Sequence, residues 1–238
     1  MFIVGGHGTT STTMCWGLKF LADHPDAQTK LRTALQTTFA SSNSGTHNPS
    51  VQEITSTQLP YLDATIEEII RCSGTAAIVD RQALVDTEIL GQRIPKGAVV
   101  SCLIAGSSML SPAFDIDEEL RSPTSQDIKK SGRDRAWDPD DMALFKPERW
   151  INADGEFDAT AGPQLAFGLG ARGCYGKRLV YVTMRIALAL ILLNFELLPC
   201  PEALSSYRPI LLTTNEPRQF YVRLREIGGE EVEEEDLP

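Results

Sequence analysis

Phe167-Gly168-Leu169-Gly170-Ala171-Arg172-Gly173-Cys174-Tyr175-Gly176 sets four glycines around one cysteine. Glycine permits tight turns and removes side chains where a backbone must come close to another group. An apolar run, 179–193, follows almost at once. It is shorter than the ~20 residues of a membrane-spanning helix and carries Arg185 inside it, so it reads as a buried helix. A helix beginning just after Cys174 would offer its free N–H groups and positive dipole end to an anionic sulfur. The alternative, a glycine-rich loop around a buried and inert thiol, suits Cys15, Cys72, Cys102 and Cys200.

Outward from this stretch, the chain divides by period. Residues 1–22 place small and apolar side chains at helical spacing. Asp23-His24-Pro25 closes that helix and opens an amphipathic one over 26–39, since proline fits a first turn. Residues 40–50 are Ser, Asn, Gly and Thr, a loop. Residues 59–72 start at Pro60 and carry Leu62, Ile66, Ile69 and Ile70, a third helix. Short strands are expected at 76–79, 88–94 and 98–104, around turns at Leu90-Gly91 and Pro95-Lys96-Gly97, and again at 195–198, 210–213 and 220–224. Residues 111–135 are polar and poorly periodic and read as an insertion or flexible loop, and 137–150 as irregular. The fold class is therefore mainly α with a small β portion, α+β.

The 238 residues allow a sizeable core. A net charge of −10 argues against nucleic acid or an anionic membrane surface as partner. Part of that charge is local, in Glu230, Glu231, Glu233, Glu234, Glu235 and Asp236, and 228–238 reads as an acidic disordered tail. Five scattered cysteines without a CxxC pair indicate neither a zinc ribbon nor a disulfide framework, which suits a reducing compartment. His7, His24 and His47 form no metal-binding spacing. Asn152-Ala153-Asp154-Gly155 lacks the ligand positions of a calcium loop and reads as a turn.

Residues 167–176 match F-x-x-G-x-R-x-C-x-G at every fixed position, and in this the chain resembles the cytochrome P450 family. Thiolate ligation of haem iron is a known property of that family rather than a deduction from these residues. The resemblance implies haem b held by Cys174, with Phe167, Gly168, Gly170 and Gly176 shaping the loop and Arg172 reaching a propionate. Three further stretches stand in the family's order. Glu68-Ile69-Ile70-Arg71 is E-x-x-R, whose spacing puts both charges on one helix face. Phe145-Lys146-Pro147-Glu148-Arg149-Trp150 is similar to the P-E-R-F segment. In the family Glu68, Arg71 and Arg149 would form a structural network behind the cysteine loop. Gly5-Gly6-His7-Gly8-Thr9-Thr10 resembles (A/G)-G-x-(D/E)-T-(T/S), which makes Gly6 part of a dioxygen groove and Thr9 the residue that guides protons. Arg81, ten positions after Arg71, falls near a second propionate-binding arginine. The small apolar residues of 76–79 would line an apolar substrate's pocket.

One position departs from the pattern. Gly8 stands where the family has an acid that relays protons, and His7 or a chain of water is expected to replace it. Alone, G-x-G-T-T could be a phosphate loop, but it lacks G-K-[ST] and follows no strand. A thiol-dependent hydrolase would need a histidine beside Cys174.

The resemblance runs from Ile3 to about Ile227 and covers the C-terminal part of the family's fold, incomplete. The expected function is a haem-thiolate monooxygenase, or the haem-binding half of one, acting on a small apolar organic substrate. It takes electrons from a flavin-containing reductase, with NADPH indirectly behind it. The alternative is a truncated, non-catalytic relic that binds haem weakly or only partner proteins. Half a core exposes apolar surface, so the isolated chain is expected to hold haem poorly. A full-length member would sit on the cytoplasmic face of the endoplasmic reticulum membrane. This chain, read without an anchor, would be cytoplasmic.

Overall fold

A long helix, α1 (Phe2–Asp23), crosses a nearly buried helix, α4 (Pro60–Ser73), at close range. Gly17 makes the approach possible, because a Cβ there would stand 3.0 Å from Ile69 Cδ1. The computed structural model describes residues 2–40, 48–211 and 214–228. Most of the expected loop at 40–50, the end of the strand expected at 210–213 and nearly all of the acidic tail lie outside them.

α2 (Pro25–Thr38) begins with the expected proline and buries Ala27, Gln28, Leu31 and Leu35 on one face. α6 (Lys177–Asn194) does the same with Met184, Leu188, Ala189 and Leu192, near-i+4 spacing that confirms the helix read from the sequence. Arg185, the charge in that apolar run, donates from Nε to the Ile54 carbonyl at 2.8 Å and pairs with Asp63. It thereby ties α6 to α4 and to α3 (Val51–Ser56). α3 was not expected. Its signal is the capping box, in which Glu53 N–H donates to Ser50 Oγ at 3.2 Å and Ser50 N–H to Glu53 Oε2 at 2.8 Å. The main core joins α1, α2, α4 and α6 through such residues as Phe20, Leu31, Ile69 and Leu188.

The strands form separate two-stranded antiparallel ribbons. β1 (Ile78–Gln82) pairs with β4 (Val99–Leu103), so the strand expected at 76–79 starts two residues later and runs on to Gln82. β2 (Thr87–Ile89) and β3 (Gln92–Ile94) meet at Leu90 (φ 49) and Gly91 (φ 76). Positive φ at both central residues matches the twist of a tight hairpin. β5 (Phe195–Leu198) pairs with β8 (Arg223–Glu226), and β6 (Ser205–Leu211) with β7 (Asn215–Phe220).

The stretch at 111–135, read as an insertion or flexible loop, contains an ordered helix, α5 (Pro123–Lys130). Ser122 Oγ accepts from Ser125 N–H at its start, and Lys129 and Lys130 fall in its last turn, where they suit the helix dipole. Capping and dipole charge substitute for the apolar stripe that period-based reading looks for. A smaller core cluster of Ala64, Trp137, Met142 and Trp150 organises 137–150, read as irregular, which ends in a short 3-10 turn, Pro147–Trp150.

Candidate functional site

Between α1, the start of β1 and the 166–174 loop lies a cavity of about 440 Å³. That is within the range of small-molecule and cofactor sites, roughly 300–1,000 Å³. α1 contributes Gly5, Thr9 and Thr13. The opposite wall is Phe167, Gly168, Arg172 and Cys174. Ala76, Val79 and Arg81 close a third side, as far as Ile104 beyond β4.

The cysteine loop is held by its own backbone. Cys174 N–H donates to the Phe167 carbonyl at 2.8 Å, and Gly168 N–H to the Leu165 carbonyl at 2.8 Å. Gly168 (φ 62) and Gly170 (φ 65) take the left-handed conformation, which disfavours any side chain there. Gly173 is needed for another reason, since a Cβ would come 3.2 Å from the Gly170 carbonyl. Gly176 is the residue just before α6, with its own Cβ position 3.8 Å from Cys174 Sγ. Cys174 itself is exposed to the cavity side of this loop. Burial pushes the Cys15 thiol up, and burial followed by the nearby Glu68 pushes that of Cys72 up.

Opposite the sulfur, Thr9 Oγ1 donates to the Gly5 carbonyl at 2.7 Å. Thr13 Oγ1 donates to the Thr9 carbonyl at 2.9 Å and shares a 2.8 Å bond with Thr75 Oγ1. Thr13, Ser73 and Thr75 were not singled out from the sequence, although Thr13 shares the Thr9 face at i+4. His7 is exposed and lies outside the cavity lining, as does Gly6, whereas Gly5 lies within it. One helical face reaches the cavity, and it carries Gly5, Thr9 and Thr13. Arg81 and Arg172 stand on its rim, both exposed. Arg81 Nη1 donates to the neighbouring Asp80 carbonyl at 2.8 Å.

Elsewhere on α4, Glu68 and Arg71 come together with Arg149. Arg71 binds Glu68 in a fork, Nε to Oε2 at 2.8 Å and Nη2 to Oε1 at 2.7 Å. Arg149 Nε reaches Oε1 at 3.1 Å. Trp150 Nε1, which the sequence placed in the P-E-R-F-like segment without a part in this network, donates to Oε2 at 2.9 Å. Arg71 also caps the Met142 and Leu144 carbonyls at 2.7 and 3.0 Å. Trp137 is flanked by the Arg71 and Arg149 guanidiniums, each 5.4 Å from its ring centroid.

Among the described residues, no group of three His, Cys, Asp or Glu side chains is placed to hold a bare metal ion. No helix there is long and apolar enough to cross a membrane.

A family model described as Cytochrome P450 matches residues 1–111 and 137–222, leaving 112–136 unmatched. "Cytochrome P450 monooxygenase TRI13" of Fusarium sporotrichioides is 45% identical over 94% of this chain and 41% of its own length. "Hps1-dma1 cluster cytochrome P450 monooxygenase cyp3.1" of Dothistroma septosporum is 42% identical over 94% of this chain and 75% of its own. "Cytochrome P450 3A19" of Capra hircus aegagrus is 31% identical over 96% and 91%. The chain spans about two fifths of the first of these relatives.

Proposed function

The chain belongs to the cytochrome P450 family, of a fungal type, and on that premise we propose that it is the haem-holding part of a monooxygenase that inserts one atom of dioxygen into an apolar organic substrate. Residues 1–227 are its family domain, interrupted at 111–135 and followed by the acidic 228–238. The observation that carries the reading is the convergence of Cys174 and Arg172, Arg81, and Thr9 on one cavity from three separate stretches of sequence.

The residues present fit a haem. Cys174 is a single soft ligand at the start of α6, where N–H groups favour a thiolate. Two rim arginines suit two carboxylates. Cavity-facing Ala76, Val79, Ile104, Ala166 and Val180 suit an apolar macrocycle and substrate. Bound there, haem supplies the redox and oxygen chemistry.

The chain's own residues do the rest. Cys174 Sγ holds the cofactor from one side. Arg81 and Arg172 orient its acidic edge. Phe167 and Val180 exclude water near the sulfur. Thr9 Oγ1 passes protons into the cavity after turning from the Gly5 carbonyl, and Thr13 and Thr75 keep that stretch of α1 in place. His7, off the lining, acts only through water. Gly8 leaves no acid beside Thr9, so replacing it with Asp should improve coupling of electron use to product. Electrons come from a flavin-containing reductase supplied by NADPH, and a full-length form would work at the cytoplasmic face of the endoplasmic reticulum membrane. The relic reading is not favoured, because the cavity walls and the Glu68 network are both formed.

The test is reconstitution. Haem is added to the chain, reduced and exposed to carbon monoxide. A strongly red-shifted Soret band, absent in Cys174→Ser, is expected. An unshifted band in the native chain, or a shifted one that survives the substitution, overturns the proposal.

A further inference from the structure

α4 carries two adjacent buried glutamates, and they serve different neighbours. Glu68 faces the 142–150 segment, as described. Glu67, 7% exposed, faces the cysteine loop and α6. Its carboxylate accepts from the Tyr181 hydroxyl, and Gln164 Nε2 lies 3.4 Å from both its Oε2 and its backbone carbonyl. Gln164 Oε1 in turn accepts from Ala166 N–H at 3.3 Å. The Tyr181 ring packs on Phe167 with centroids 5.6 Å apart. Lys177 Nζ sits over both rings, 5.6 Å from the Phe167 centroid and 5.7 Å from that of Tyr181. Phe167 is the residue whose carbonyl receives the Cys174 N–H at 2.8 Å.

We infer that Glu67, Tyr181 and Gln164 form a second brace that fixes Phe167 and, through its carbonyl, the position of Cys174. They are positioning residues, distinct from the Glu68–Arg71–Arg149 network, and their functional meaning rests on the haem reading above. The physical case is that a carboxylate this buried must be satisfied by hydrogen bonds. Here every partner leads to the loop: Gln164 to the backbone just before Phe167, Tyr181 to the Phe167 ring. The Glu68 network touches neither. Glu67 therefore ties α4 to the cysteine loop and α6, whereas Glu68 ties it to the 142–150 segment.

The test reads the loop with and without haem. In the haem-free full chain, hydrogen exchange is followed at the Cys174 amide and across 142–150. Tyr181→Phe keeps the ring and removes the hydroxyl; Gln164→Ala removes the other tie. Each is expected to speed exchange at Cys174 about five-fold, as loss of one net hydrogen bond implies, and to leave 142–150 unchanged. After reconstitution, Tyr181→Phe should lower the share of the carbon monoxide complex that carries the thiolate band. Unchanged exchange at Cys174, or an equal rise at 142–150, overturns the brace. A native chain that shows no thiolate band, with the exchange result as expected, sinks the haem reading and leaves the brace as a loop-positioning device.

Discussion

Replacing Glu68 with Gln should destabilise the protein by about 3–5 kcal/mol, the cost of stranding a buried charge. The magnitude follows from the donors that converge on this carboxylate. Oε1 accepts from Arg71 Nη2, Lys146 N–H and Arg149 Nε; Oε2 accepts from Arg71 Nε and Trp150 Nε1. A glutamine has one acceptor oxygen. Its best orientation places the amide NH2 where Oε2 was, against two donors, each stranded at about 1–3 kcal/mol. Arg71, with 0% of its side chain exposed, also loses its counter-charge. Against the 5–15 kcal/mol typical of a folded domain, the loss is large. Urea unfolding is the assay: the midpoint should fall with the slope unchanged. Glu68→Gln/Arg71→Met should be less destabilised than the sum of its singles by at least about 1 kcal/mol, since the two side chains share bonds. A single variant within about 1 kcal/mol of native, or a double equal to that sum, would refute the idea that Glu68 organises this region.

Gly162→Ala should cost about 1–3 kcal/mol by overpacking, because a Cβ there stands 2.6 Å from the Trp137 ring, which two arginine side chains also contact; thermal melting would show it, and an unchanged midpoint would count against that packing. The Thr160 hydroxyl and Arg135 hold the Asp158 carboxyl down to about 2. A depressed folded value means its stabilisation is present above the unfolded value of 3.8 and is lost as pH falls from there through about 2. Asp158→Asn should therefore flatten the acid limb of the stability curve between those values, and an identical limb would contradict the assignment. Arg81→Ala and Arg172→Ala should each speed transfer of haem from the reconstituted chain to an apo-globin, with folding unaffected because both side chains are exposed; equal transfer rates would remove them from the site.

The family, the cysteine and the order of the other motifs were legible in the sequence because each depends on local chemistry. Gly168 and Gly170 adopt positive φ, Pro25 and Pro60 begin helices, and Leu90-Gly91 turns a hairpin, all within a few residues. Glu68 and Arg71 pair at i, i+3, so one helix suffices to bring them together. Where an element lacked an apolar stripe, period-based reading missed it. α3 and α5 are short and lean on caps, although Ser50 and Glu53 carried the signal for the first.

What only the tertiary structure decided was which residues meet across long separations in the chain. Trp150 joins Glu68, Tyr181 joins Glu67, and Thr13 joins Thr75 because α1, α6 and the 147–150 turn pack against α4 and the residues just after it. The same packing turns Gly5, Thr9 and Thr13 toward the cavity and leaves His7 outside it. A helix's own period says which residues share a face. Which face meets the cavity depends on burying the apolar surface of four helices at once, and no local stretch carries that information.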